Sequence, residues 1–222
     1  MSVTNSPPLP DTAEVRSLKY APKSEGASTS RLDLLIGAGL ALATLAIGLY
    51  FTPRGFQAGF VDMAHDGYQL RQVLDLSQGA VIFRDTFDQY GPLNGYLNTA
   101  GFLAFGRHLL AVKYFICGWY ALTTVILFVI ARHWLPSALA AFSVIVWLGL
   151  APFYQHGIMI SPHVYVLCFQ AIATLVVLRA PRLDPGRFAL AGLLAGLSSA
   201  AKLSMGFCSS RQSSSICCCA SQ

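Results

Sequence analysis

LAVKYFICGWYALTTVILFVIA, from Leu110 to Ala131, is an apolar run that carries a single charged residue, Lys113. Its length meets the roughly 20 residues that an α-helix needs to cross about 30 Å of hydrocarbon. Two further runs approach that length, Leu32 to Phe51 and Phe188 to Phe207, while Ser137 to Ala151 and His163 to Leu178 are shorter. These five runs predict an all-α, polytopic transmembrane helical bundle over residues 32–207. An external loop, 52–109, separates its first two spans.

Composition points the same way. Hydrophobic residues make up 55% of the 222-residue chain and charged residues 11%, against roughly 25% charged in an ordinary soluble domain. A soluble globular domain is excluded on that ground. The net charge of +5 is spread between apolar runs, so it reads as an orientation signal and implies no nucleic-acid partner. Of the six cysteines, Cys117 and Cys168 lie inside apolar runs and four crowd the last residues without metal spacing.

Residues 1–31 contain no apolar block and are expected to form a disordered tail. The first apolar run starts too far along, and is too long, for a cleaved signal. Arg16, Lys19, Lys23 and Arg31 precede it, Arg132 follows the second run, and Arg179, Arg182 and Arg187 lie between the fourth and fifth. Placed on one side, they give a cytoplasmic N-terminus and an external first loop. Arg54, Arg71, Arg84, Arg107 and Lys113, counted with that loop, moderate the bias. The expected location is an integral membrane protein of the bacterial inner, or plasma, membrane.

The loop is patterned. HDGYQLRQVLDLSQG, residues 65–79, predicts an amphipathic helix lying along the membrane surface. Leu70, Val73, Leu74 and Ser77 share one face, with Gln69, Gln72, Asp75 and Gln78 turned away. Asp66 and Gln69 read as a capping box, and Gly79 as a stop. Gly91-Pro92 predicts a turn from which Pro92 opens a second interfacial helix, Leu93 to Phe105, ending at Gly106.

The order of HDGYQLRQVLDLSQG, FRDTFDQYGPLNGYL and LAFGRHLLAVKY, set among apolar spans, resembles the polytopic type C glycosyltransferases. These membrane enzymes are related to protein O-mannosyltransferases and bacterial aminoarabinose transferases. The resemblance covers roughly residues 32–207. It implies transfer of a sugar from a polyprenyl-phosphate carrier to an external acceptor, with inversion at the anomeric carbon and carrier phosphate as leaving group. In the family an essential acidic residue stands just ahead of the first juxtamembrane helix. Members commonly show Asp-Glu where this chain has His65-Asp66, so the acidic position is ambiguous by one residue.

Two readings of Asp66 stand at this stage: the general base that deprotonates the acceptor hydroxyl, or the N-cap of its helix. Asp62 competes for the catalytic role. His65 is a candidate for orienting the acceptor or binding phosphate, or an interfacial histidine without a role. Asp85 and Asp88 are candidates for sugar hydroxyls, or for a divalent cation together with Asp66, although no compact ligand spacing indicates a metal; the alternative is a solvated loop. Phe83, Phe87, Tyr90 and Tyr96 line either a sugar or lipid path or an interfacial belt. Lys202, deep in the fifth run, marks a place for the carrier phosphate or snorkels to the interface. His156 and His163 receive no role.

The last fifteen residues, CSSRQSSSICCCASQ, contain six Ser and four Cys. They read as a palmitoylation cluster or as a premature, frameshifted end, and the second reading implies an inactive chain. A transporter or flippase is the rival class, but it expects acidic residues within spans, where only Asp33 touches a span end. A non-catalytic remnant is the other.

Overall fold

The computed structural model describes residues 30–57, 63–150, 159–179 and 184–202. Among them are seven helices: α1 (Arg31–Gln57), α2 (Met63–Ser77), α3 (Pro92–Phe105), α4 (Leu109–Ala131), α5 (Ser137–Gly149), α6 (His163–Leu178) and α7 (Pro185–Ala201). The only β pairing described is an isolated bridge between Ile82 and Thr86. The described residues thus form an all-helical arrangement, consistent with a helical membrane protein. Helices α1 and α4 are long and apolar enough to cross a bilayer, and α5 and α6 are shorter apolar helices.

Local chemistry fixes the helix ends. Ser30 Oγ accepts the Asp33 N–H at 3.1 Å, and the Ser30 N–H donates to Asp33 Oδ2 at 3.3 Å, a reciprocal cap at the start of α1. His108 Nδ1 accepts the Ala111 N–H at 3.0 Å and caps α4. Pro92 and Pro185 open α3 and α7, where the missing N–H costs nothing. Gly79 and Gly106 follow α2 and α3 with φ of +96° and +119°, a region that glycine enters freely.

Helices α1 and α4 pair antiparallel, as three contacts along their length show. Asp33 meets Arg132 through both carboxylate oxygens, at 2.8 and 3.1 Å, with Ser137 Oγ also donating to Oδ1 at 2.6 Å. Thr44 Oγ1 donates to Thr124 Oγ1 at 3.3 Å, and Thr52 lies 3.7 Å from the Cys117 sulfur. Against the other side of α4, Trp119 stacks edge-on with Tyr165 and Phe169 of α6, at 5.3 and 5.7 Å between centroids. The main core gathers Phe102, Ile116, Tyr120, Val164 and Tyr165 where α3, α4 and α6 meet.

Two expectations need correction. Helix α2 starts at Met63, so Asp66 lies within its first turn and its carboxylate meets partners from other segments, described below. The buried stripe of α2 also contains Gln69 and Gln72 together with Val73 and Leu76. Glutamines assigned to the outer face point inward because partners await them there, an α3 amide for Gln69 and the Phe87 carbonyl for Gln72. Gln69 Oε1 accepts from Asn94 Nδ2 at 3.2 Å, Asn94 Oδ1 from Asn98 Nδ2 at 3.3 Å, and Asn98 Oδ1 from the Tyr165 hydroxyl at 2.6 Å. This ladder of buried side chains joins α2, α3 and α6.

The α1–α4 contact depends on a missing side chain. A Cβ on Gly48 would lie 2.6 Å from the Cys117 sulfur and 3.0 Å from its Cβ. Gly48→Ala is therefore expected to lower stability by about 1–3 kcal/mol, the usual cost of overpacking. Cys117→Ala in the same chain should recover most of the loss, as thermal unfolding in detergent would show.

Candidate functional site

One end of the bundle collects the start of α2, the turn before α3, the start of α4, the turn before α6 and the end of α7. Asp66 stands at its centre. The carboxylate is 1% exposed, and its Oδ2 lies 2.6 Å from Nζ of Lys113, which is 0% exposed. Oδ1 accepts the backbone N–H of Ile160 at 3.1 Å, and His65 Nδ1 lies 3.6 Å away. A buried carboxylate persists only with such compensation, because an unpaired ion in a dry interior costs several kcal/mol. Two segments distant in sequence, around Lys113 and Ile160, therefore converge on this one side chain.

From this pair a polar path leads outward. His65 Nε2 lies 2.7 Å from the Tyr90 hydroxyl, and both residues are partly exposed. Tyr90 is placed by Asp88, whose Oδ1 accepts the Tyr90 N–H at 2.8 Å. Gly91 then packs onto the end of α7: a Cβ there would fall 2.3 Å from the carbonyl oxygen of Ala200. This contact brings the Asp88–Gly91 turn beside Lys202. Lys202 Nζ is 2.7 Å from His163 Nε2, and His163 Nδ1 bonds to Ser161 Oγ. Ile160 and Ser161, adjacent in one turn, thus hold Asp66 and the His163–Lys202 pair respectively.

Of the candidates from sequence, Asp66, His65 and Tyr90 come together, and Lys202 joins them across the Gly91 contact. Asp62 lies outside the described residues, as does His156. Asp85 stands apart, exposed in the turn after α2 and paired with Arg84 at 2.7 Å; that guanidinium and the Val81 N–H hold its carboxyl below the usual range. Asp88 is buried, packed between its own turn, Gln72 of α2 and Gly95 of α3. Among the described residues no three His, Cys, Asp or Glu side chains gather as metal ligands would. Lys113, His163 and Ser161 are additions. A lysine inside an apolar run is a signal for the first; nothing local marks the other two.

A family model described as dolichyl-phosphate-mannose-protein mannosyltransferase matches residues 89–209, more than half of the chain. The chain belongs to this mannosyltransferase family. Neither the comparison with curated proteins nor that with solved structures gave a match. The part matched to the mannosyltransferase model includes Tyr90, Lys113, His163 and Lys202, while His65, Asp66, Asp85 and Asp88 precede it.

Burial pushes the Asp88 carboxyl above the usual carboxylate range, against the opposing pull of the Tyr90 N–H, the Gln72 side chain and the Gly91 N–H. Asp88 Oδ2 and the nearby Gln72 Oε1 are buried acceptors with no donor among the described residues. Gln72 Nε2 is directed to Phe87 O at 3.2 Å. With the folded-state pKa raised, the carboxyl favours the fold while it is neutral. Its contribution falls as pH rises from the unfolded value near about 3.9 towards the raised folded value. Asp88→Asn, which mimics the neutral acid, should therefore be more thermostable than wild type at neutral pH. The difference should vanish near pH 4, in paired melting curves in detergent.

Proposed function

We propose that this mannosyltransferase-family protein transfers mannose from a polyprenyl-phosphate carrier to an acceptor hydroxyl on the external side of the membrane. The observation that carries the reading is the buried Asp66–Lys113 pair, which ends a polar path through His65 and Tyr90 and adjoins a lysine–histidine pair. A carboxylate has about four lone-pair sites. The Ile160 N–H and the Lys113 ammonium occupy two, which leaves acceptor capacity on the His65 side.

In this mechanism Asp66 takes the proton from the acceptor hydroxyl while that oxygen bonds to the anomeric carbon. The bond from this carbon to the carrier phosphate breaks, and the phosphate leaves with the electron pair. Attack from the opposite face inverts the anomeric centre. Lys202, aided by His163, meets the phosphate; His65 and Tyr90 orient the acceptor. Lys113 acts through Asp66 and is a positioning residue. Asp62 is kept as the competing base by sequence, and Asp85 as a peripheral contact for sugar. Asp88 acts on substrate through the Tyr90 turn.

The end opposite the site supports the orientation. Arg132 closes α4 there, and Arg179 and Arg187 flank the α6–α7 connection, where an Arg187 guanidinium N–H donates to the Arg179 carbonyl. Positive charge gathers on the cytoplasmic side of spanning helices, which supports the reading of a cytoplasmic N-terminus and an external Asp66. A plasma-membrane location fits the same sidedness.

The test separates binding from chemistry. The chain should crosslink to a photoactivatable polyprenyl-phosphate mannose, with polyprenyl phosphate competing, and Lys202→Gln should weaken crosslinking by about 10-fold, the worth of one charge-assisted contact. Asp66→Asn should leave crosslinking intact. In membranes that show transfer, it should lower turnover by about 10²-fold or more, as loss of a general base does. Wild-type turnover by Asp66→Asn with a lowered melting temperature would make the ion pair purely structural and sink the catalytic assignment.

A further inference from the structure

Phe83 is the one non-glycine residue with positive φ, 65°, among those described. A bulky aromatic in the left-handed region is an outlier, and such strain persists only where surrounding bonds impose it. The turn imposes it here. Ile82 bridges Thr86, the Phe83 N–H donates to Thr86 O at 2.8 Å, and the Asp85 N–H donates to Val81 O at 2.9 Å. Asp85 Oδ2 accepts the Val81 N–H at 2.8 Å, and Arg84 closes onto the same carboxylate. Ile82 alone turns inward, against Gly95 of α3.

The outcome of this bracing is that two rings face out, Phe83 at 59% exposure and Phe87 at 69%. Burial of either ring would favour folding, yet the turn spends backbone strain to keep one of them outside. We propose that the 81–87 turn is a membrane-interface anchor, which seats Phe83 and Phe87 among the headgroups and upper acyl chains of the leaflet that the candidate site faces.

Two observations favour lipid over a protein partner. The apolar surface continues from the turn: the Tyr68 hydroxyl of α2 donates to Phe87 O at 2.8 Å, and Tyr96 and Leu103, one heptad apart on α3, are also exposed. That strip belongs to a protein whose long helices already face a bilayer. The charges beside the rings also cancel locally, Arg84 with Asp85 and Arg71 with Asp75. The turn therefore offers aromatic surface without a net charge for a partner to read, which suits the interfacial layer. Anchoring would set the height of α2, and with it Asp66, relative to the membrane surface.

The test is tryptophan fluorescence from the full chain reconstituted in vesicles of phosphatidylethanolamine and phosphatidylglycerol. Phe83→Trp and Phe87→Trp are made singly, with the native Trp119, Trp134 and Trp147 replaced by Phe. If that background misfolds, emission is instead taken as the difference from the parent with its tryptophans intact. Phe87→Trp carries the test should the backbone at position 83 reject the larger ring. Lipid brominated near the headgroup end of its chains should quench the new tryptophan severalfold more than lipid brominated near the chain terminus, and aqueous acrylamide should quench it weakly. Strong acrylamide quenching with indifference to bromolipid would overturn the anchor. Shielding from both would overturn it too, by showing that protein covers the rings.

Discussion

A lysine side chain with no exposure, set near the start of an apolar helix, must find an anion or cost the fold several kcal/mol. Lys113 finds Asp66 at 2.6 Å, and much of the site's geometry follows from that requirement. The pair docks α2 against α4, the second long apolar helix. The second oxygen of the same carboxylate then holds the Ile160 N–H, which fixes the turn from which α6 starts. Since Ser161 and His163 belong to that turn, the position of Lys202 is tied to the same centre.

The buried amides have a comparable role with a different logic. In a bilayer, apolar surface gains little from leaving lipid for protein, so helices associate through packing and hydrogen bonds. The Gln69–Asn94–Asn98–Tyr165 ladder supplies directional contacts among α2, α3 and α6. Such contacts set register as well as proximity. A helix held only by aliphatic contact can rotate at small cost, whereas rotation of α2 would strand both amides and the Asp66 carboxylate in a dry interior.

Much of the architecture was legible in the sequence, because helix stops and hydrophobic length are local properties. Gly79, Gly106 and the Gly91-Pro92 pair mark ends that the structure keeps, and the runs around α1 and α4 have the length of spans. The face of α2 was misread because a glutamine in an amphipathic pattern carries no sign of what it will meet. The burial of Gln69 depends on an asparagine 25 residues later. Lys113 was grouped with the charges of the external loop, although its place inside an apolar run already signalled a paired ion. The link between His163 and Lys202 spans 39 residues and has no local signature at all.

The order in which the Asp66–Lys113 partners are synthesised bears on membrane insertion. Asp66 leaves the ribosome before Lys113, and Ile160 follows both. The countercharge for the lysine of α4 has therefore already been made, on α2, when α4 is synthesised. A lysine in a spanning helix raises the cost of insertion by up to about 2.5–3.5 kcal/mol at mid-bilayer and less towards the ends. Docking onto Asp66 offsets that cost as α4 enters. The pair that organises the folded site thus joins a helix to a segment made roughly fifty residues earlier, and loss of the carboxylate at residue 66 would leave the Lys113 ammonium buried without its countercharge.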